Sequence, residues 1–122
     1  MSEQKALVIL ITRGFDDERS SVAWSVANGG IKTGLDVTIF LTSSGVDWVR
    51  KGAADNAHLN PFDPSMKEMI DDFRNSGGKI LACPPCAAVR NYKQEDLLEG
   101  VILTGSPAIH KLILEGAATL SF

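Results

Sequence analysis

The sequence predicts an α/β domain built on a doubly wound, mainly parallel sheet of about five strands. Three observations carry that prediction. Short apolar runs such as residues 6–12 lack polar alternation, the mark of strands buried on both faces of a parallel sheet. Stretches with apolar residues at helical spacing lie between these runs, and glycines close several of them. At 122 residues the chain has the usual size of one domain. Folding at that length hides roughly two-thirds of the unfolded chain's surface, enough for a core without disulfide staples. Residues 1–122 therefore read as a single domain.

The first strand is the run 6–12, and the loop 12–17 follows with Gly14 as its turn glycine. A helix over 18–33 places Ala23, Val26, Ala27 and Gly30 on one face, and Gly34 stops it. Asp36–Leu41 is a second strand, rich in β-branched residues. Ser43, Ser44 and Gly45 make a turn, 46–51 a short helix and 52–61 an exposed loop. Asp63 caps the next helix, with Pro64 at its first position. Met66, Met69, Ile70 and Phe73 form the buried stripe of that helix, and Gly77 and Gly78 end it. A third strand covers 79–83, and Pro84 and Pro85 turn the chain into single helical turns over 86–91 and 94–98. A fourth strand covers 101–103, Ser106 and Pro107 open a last helix, and 117–122 closes the sheet. Strands alternating with helices imply right-handed crossovers, so the order reads as flavodoxin-like, with three layers. Sites in such sheets gather at the carboxyl ends of the strands. The segments 12–17, 42–48 and 83–91 should meet there.

The net charge of -3 indicates no broad basic surface for nucleic acid or anionic lipid. The polar N-terminus has no signal-type hydrophobic stretch, and the longest apolar run, 6–11, is far too short to span a bilayer. Two cysteines in one motif do not make a secreted disulfide framework. A reducing cytoplasm is the expected home, with no nucleic-acid or membrane partner.

The one obvious reactive motif is Cys83-Pro84-Pro85-Cys86 at the end of the third strand. A thiolate at Cys83 faces the start of a helix, whose partial positive charge should lower its pKa. Pro84 and Pro85 have no amide hydrogens, so the amides of Cys86 and Ala87 are the donors left for the Cys83 sulfur. Cys83 is therefore expected to alkylate faster than Cys86. Cys86 is within reach for a disulfide or for attack on a sulfur carried by Cys83. Two inert thiols at a core edge are the bland alternative, but packing gives no reason for two prolines between them. Arg90 is placed to stabilise a thiolate or persulfide, or to bind an anionic partner, against the alternative of a solvated arginine.

Zinc would need two more ligands, and neither His58 nor His110 has the close spacing of a zinc motif. Both histidines read as surface residues. Asp16, Asp17 and Glu18 read as negative charge on the first turn of a helix rather than as a ligand cluster. Thr12-Arg13-Gly14 lacks the glycine pattern of a nucleotide loop, so neither cofactor nor metal is expected. Trp48 reads as lining a site or an interface, and Trp24 as packing.

Four features together resemble the DsrE/DsrF-like family, the sulfur-relay proteins that include TusD and YchN-like subunits. They are the apolar first strand with its loop and helix; Phe40-Leu41-Thr42-Ser43-Ser44-Gly45-Val46; Cys83 with Arg90 downstream; and the ending from Leu98-Glu99-Gly100-Val101 to Phe122. Asn91 stands where a glycine often follows the arginine, and the Pro84-Pro85 pair is unusual. The resemblance implies that Cys83 carries a persulfide sulfur and passes it from a sulfur donor protein to an acceptor protein. It also implies a homotrimer or homohexamer. Alternatives are a Cys-x-x-Cys thiol-disulfide redox protein using Cys83 and Cys86, and a non-catalytic oligomeric subunit of the same fold. Cys83, Cys86 and Arg90 are the candidate site residues.

Overall fold

A computed structural model describes residues 4–122. The elements follow in the order β1 (Ala6–Ile11), α1 (Arg19–Lys32), β2 (Asp36–Leu41), a 3₁₀ helix (Ser43–Val49), α2 (Met66–Asn75), β3 (Lys79–Ala82), α3 (Pro84–Val89), a 3₁₀ turn (Gln94–Asp96), β4 (Ile102–Leu103), α4 (Pro107–Leu114) and β5 (Ala118–Ser121). The five strands lie in the order β4-β3-β2-β1-β5, and every pairing is parallel. The chain steps from β1 to β4 in one direction, then returns across the sheet to place β5 beside β1. Because such crossovers are right-handed, α1 and α2 fall on one face and α4 on the other. This is the doubly wound α/β arrangement that the alternating elements predict.

Strand side chains alternate between two apolar clusters. Leu7, Ile9, Ile11, Val37, Ile39, Leu41, Ile80 and Ala82 point toward α1 and α2, where Trp24 and Phe73 meet edge to face at 5.7 Å. Val8 and Phe40 point the other way, toward Ile109 of α4, with Leu10, Leu81 and Cys83 packed around them. The buried stripe of α2 is Met66, Met69, Ile70 and Phe73, as its spacing predicts.

Several local expectations change. Asp63 does not cap α2: Ser65 does, accepting from the Glu68 amide, while Asp63 accepts from the Ser21 hydroxyl at 2.7 Å. Pro64 therefore precedes the cap instead of opening the helix, although an acceptor-bearing residue before a helix reads the same in sequence at either place. Helix α3 starts at Pro84, two residues before the expected start, with Cys83 as its cap. Within the loop 52–61, Ala54 is buried and Ala57 and Leu59 pack on the larger cluster. The negative charge expected on the first turn of α1 sits just before it, where Asp17 accepts from the Arg19 amide and guanidinium.

Candidate functional site

Three strand ends converge at the carboxyl edge of the sheet. Ladder pairing continues past β3, since the Cys83 amide donates to the Leu41 carbonyl at 2.9 Å. The chain then turns into α3, whose first two residues, Pro84 and Pro85, need no acceptor for a missing N–H. The Cys86 amide donates to the Cys83 sulfur at 3.4 Å, and the Ala87 amide to the Cys83 carbonyl. Of the two donors expected for that sulfur, only Cys86 reaches it. Both cysteines are free thiols and half-buried.

Burial pushes the Cys83 thiol up from its ordinary pKa, and its contact with the Cys86 side chain adds to the rise, against the lowering effect of the Cys86 amide. The expected lowering by a helix start is thus overturned. Helix α3 has six residues, and Cys83 packs into the apolar cluster around Val8, Phe40 and Ile109. One amide in a short helix does not offset that loss of hydration.

The second sulfur has a different environment. The Ser43 amide, just after β2, donates to the Cys86 sulfur at 3.2 Å. Ser43 reaches this orientation with φ at +51°, a left-handed conformation unusual for a residue with a Cβ. The 3₁₀ helix that Ser43 opens is pressed onto the end of β1: a Cβ on Gly45 would collide with the Ile11 carbonyl, so only glycine fits there. Trp48 closes this side. It is wholly buried, donates its indole N–H to the Arg13 carbonyl at 3.0 Å and meets Phe15 edge to face at 4.6 Å. Trp48 is therefore a core strut between two loops, and it neither lines an open site nor offers an interface surface.

Arg90 reaches the pair only through its neighbours. Its guanidinium donates to the Cys86 carbonyl at 3.1 Å and the Ser44 hydroxyl at 3.4 Å, and its Nε pairs with Asp47 at 3.2 Å. Asp47 also accepts from the Tyr92 hydroxyl at 2.7 Å, and burial together with that carboxylate pushes the Tyr92 pKa up. Arg90 thus ties the end of α3 to the 3₁₀ helix, and neither sulfur is among its hydrogen-bond or salt-bridge partners. Asn91 ends α3 with φ at +61°. Asparagine is one of the few residues with a Cβ that adopt this left-handed conformation readily.

The cysteine pair, Ser43 and Arg90 come together as the segments 83–91 and 42–48 predict. The segment 12–17 meets them through Trp48 and through Gly14, which lies against Ser44. Ser43 is the site residue that sequence reasoning missed. Its signal was faint: a serine directly after a strand end, in a stretch read only as a turn. Among the described residues no group of three or more side chains is arranged to hold a metal ion, and no helix is long and apolar enough to cross a membrane.

Residues 4–122 match the DsrE/DsrF-like family. The chain belongs to that family. Two relatives agree in length as well as sequence. An uncharacterized protein of Methanocaldococcus jannaschii is 31% identical over 110 residues, spanning 89% of this chain and 89% of the relative. An uncharacterized protein of Methanopyrus kandleri is 30% identical over 107 residues, spanning 87% and 81%. The fold is shared with the YchN protein of E. coli, with a TM-score of 0.79 at 17% identity over 98% of this chain and 100% of that one. A protein of unknown function from Methanobacterium thermoautotrophicum superposes with a TM-score of 0.67 at 16% identity, again over 98% and 100%. The cysteine at the end of β3 lies within the span that matches the DsrE/DsrF-like family.

Proposed function

We propose that this protein is a small sulfur-relay or sulfurtransferase-type protein that carries a persulfide on Cys83. The observation that supports this reading is the Cys83–Cys86 pair at the carboxyl end of β3, in a chain of the DsrE/DsrF-like family. In the loading step the Cys83 thiolate attacks the outer sulfur of a donor protein's persulfide. The donor's S–S bond breaks, the donor leaves as a thiolate, and Cys83 holds the sulfur. An acceptor protein's thiolate reverses these roles in the second step. Neither step needs a cofactor. Two neighbouring free thiols suit a reducing cytoplasm. Family membership also favours a homotrimer or homohexamer, and the exposed Ile102, Ile113 and Leu120 offer apolar surface for such contacts.

Mass spectrometry after incubation with a protein persulfide donor tests the reading. An adduct of about 32 Da, one sulfur atom, is expected on Cys83 and should be absent from Cys83→Ser. A reversible Cys83–Cys86 disulfide without any adduct would instead identify a thiol-disulfide redox protein, a reading supported by the direct contact of the two residues. Neither product would leave a non-catalytic subunit of the fold.

A further inference from the structure

We propose that Phe62 of one copy of this chain seats in the apolar cleft between α4 and β5 of the next copy. The inference deepens the assembly proposed above and rests on it for the closed ring, while the contact itself rests on two features of the fold.

The first feature is a knob. Phe62 is 96% exposed, the most open large apolar side chain among the described residues. Single exposed apolar residues are ordinary, but a phenyl on a flexible loop lies down on the nearest apolar atoms. This one is held out. Its N–H donates to the Asn60 side-chain oxygen at 3.0 Å, and the Asp63 N–H donates to the Asn60 carbonyl at 3.0 Å. The Asp63 carboxylate accepts from the Ser21 hydroxyl of α1 at 2.7 Å, and its carbonyl accepts from His58 Nε2 at 2.7 Å. Pro61 and Pro64 fix φ on either side. An aromatic ring presented this rigidly loses little conformational entropy when a partner covers it, so it suits the centre of an interface.

The second feature is a hole. Val8, Leu10 and Thr119 of the sheet, with Ile109 and Ile113 of α4, line a cleft of about 310 Å³. An apolar cavity on the order of 150 Å³ holds a benzene ring, so a phenyl side chain has room. No charged side chain lines this cleft. In the clefts lined by Lys32 and Asp72, by Arg50 and Lys67, and by Arg13 and Arg19, an entering phenyl would strip water from a charge.

Knob and hole do not meet within one chain. Asp63 holds the loop of Phe62 against α1, and α1 and α4 lie on opposite faces of the sheet. A second copy must supply the ring, and the contact is head to tail because it joins unlike surfaces. A trimer requires a contact of this kind, since a two-fold pairing stops at two copies. The phenyl supplies roughly 150–250 Å² of the roughly 800 Å² per partner that a stable interface buries. Ile113 and Leu114, 43% and 88% exposed on α4, extend the contact. Val8 and Ile109 belong both to the cleft and to the cluster that packs Cys83, so the neighbour's ring covers the apolar side of the reactive pair.

Sedimentation at a concentration on the order of tens of micromolar tests the contact. Phe62→Ser should fall to the mass of a single chain, and Phe62→Trp, which keeps a rigid aromatic, should retain the mass of the unmodified protein. Phe62 is almost free of contact with its own chain, so Phe62→Ser should keep the far-ultraviolet circular dichroism of the fold. Ile113→Asp, on the other side of the contact, should also fall to a single chain. Phe62→p-benzoylphenylalanine, mixed with isotope-labelled unmodified chains and irradiated, should join labelled to unlabelled chains within α4 or β5. An assembly that Phe62→Ser leaves at full mass, or cross-links to another surface, overturns this inference and leaves the proposed assembly standing. An unmodified protein that sediments as a single chain overturns both.

Discussion

The two faces of the sheet are made from the same alternating strands, yet they end in unlike surroundings. The face under α1 and α2 is sealed: Trp24, Phe73, Ile9, Ile11, Ile39 and Leu41 are fully buried there. The opposite face has α4 alone above it. Of the residues on that side, Val8, Phe40 and Ile109 are buried, while Ile102 and Ile113 remain 57% and 43% exposed. Topology causes the difference. Three crossovers run in one direction, the first two laying α1 and α2 side by side, and the single return crossover supplies one short helix. The two cysteines divide between these environments. Cys83 packs with the thinner cluster and Cys86 with the larger one, although they are three residues apart. A strand end followed at once by a helix lets two neighbouring thiols point into different halves of the molecule.

That contrast is sharpest in stability. Trp24→Ala should cost about 3–5 kcal/mol, because it empties a site that α1, α2 and the sheet enclose and cannot refill. Ile109→Ala removes the main contact of α4 and should cost about 2 kcal/mol, since the partly open face can relax around the gap. Urea midpoints at an unchanged slope measure both, and equal losses would show that the α4 face is as tightly closed as the other. Leu120→Asp should change stability by no more than about 0.5 kcal/mol, because the side chain is already half in water. Sedimentation of the same variant tests the proposed assembly. A mass below that of the unmodified protein would place the contact at the edge strand β5, and an unchanged oligomer would place it elsewhere.

The smallest expected effect belongs to neither face. Asp17 is held at a pKa of about 2, chiefly by side-chain and backbone hydrogen bonds from Arg19. A folded pKa below the unfolded value of roughly 3.9 contributes stability that is complete above that value. It is lost as pH falls through about 2. The difference in melting temperature between the unmodified protein and Asp17→Asn should therefore be small, constant near neutral pH, and should shrink between about pH 4 and pH 2. A difference that grows on acidification would show that the carboxylate is not held in its charged form. Arg19 and Asp17 are solvated enough that screening keeps this effect slight.

Much of this molecule was legible in the chain. The apolar run 6–12 announced β1 as a strand covered on both faces, β-branched residues announced β2, and the spacing of Met66, Met69, Ile70 and Phe73 announced the buried side of α2. The Cys-Pro-Pro-Cys turn marked the candidate site, because prolines stripped of N–H groups between two thiols restrict which donors remain. These features are local: periodicity, punctuation and missing hydrogens act over a few residues and need no partner across the fold. Tertiary structure decided the rest. The pKa of Cys83 follows from the cluster that buries it, and Arg90 is engaged by Asp47, a residue 43 positions earlier in the chain. The amide that reaches Cys86 belongs to Ser43, also 43 positions away, and it points there because Gly45 and Trp48 hold the 3₁₀ helix against β1. A sulfur's charge depends on which donors and which apolar groups lie within a few ångströms of it. Parallel pairing of β2 with β3 brings those groups together from segments that the sequence keeps far apart.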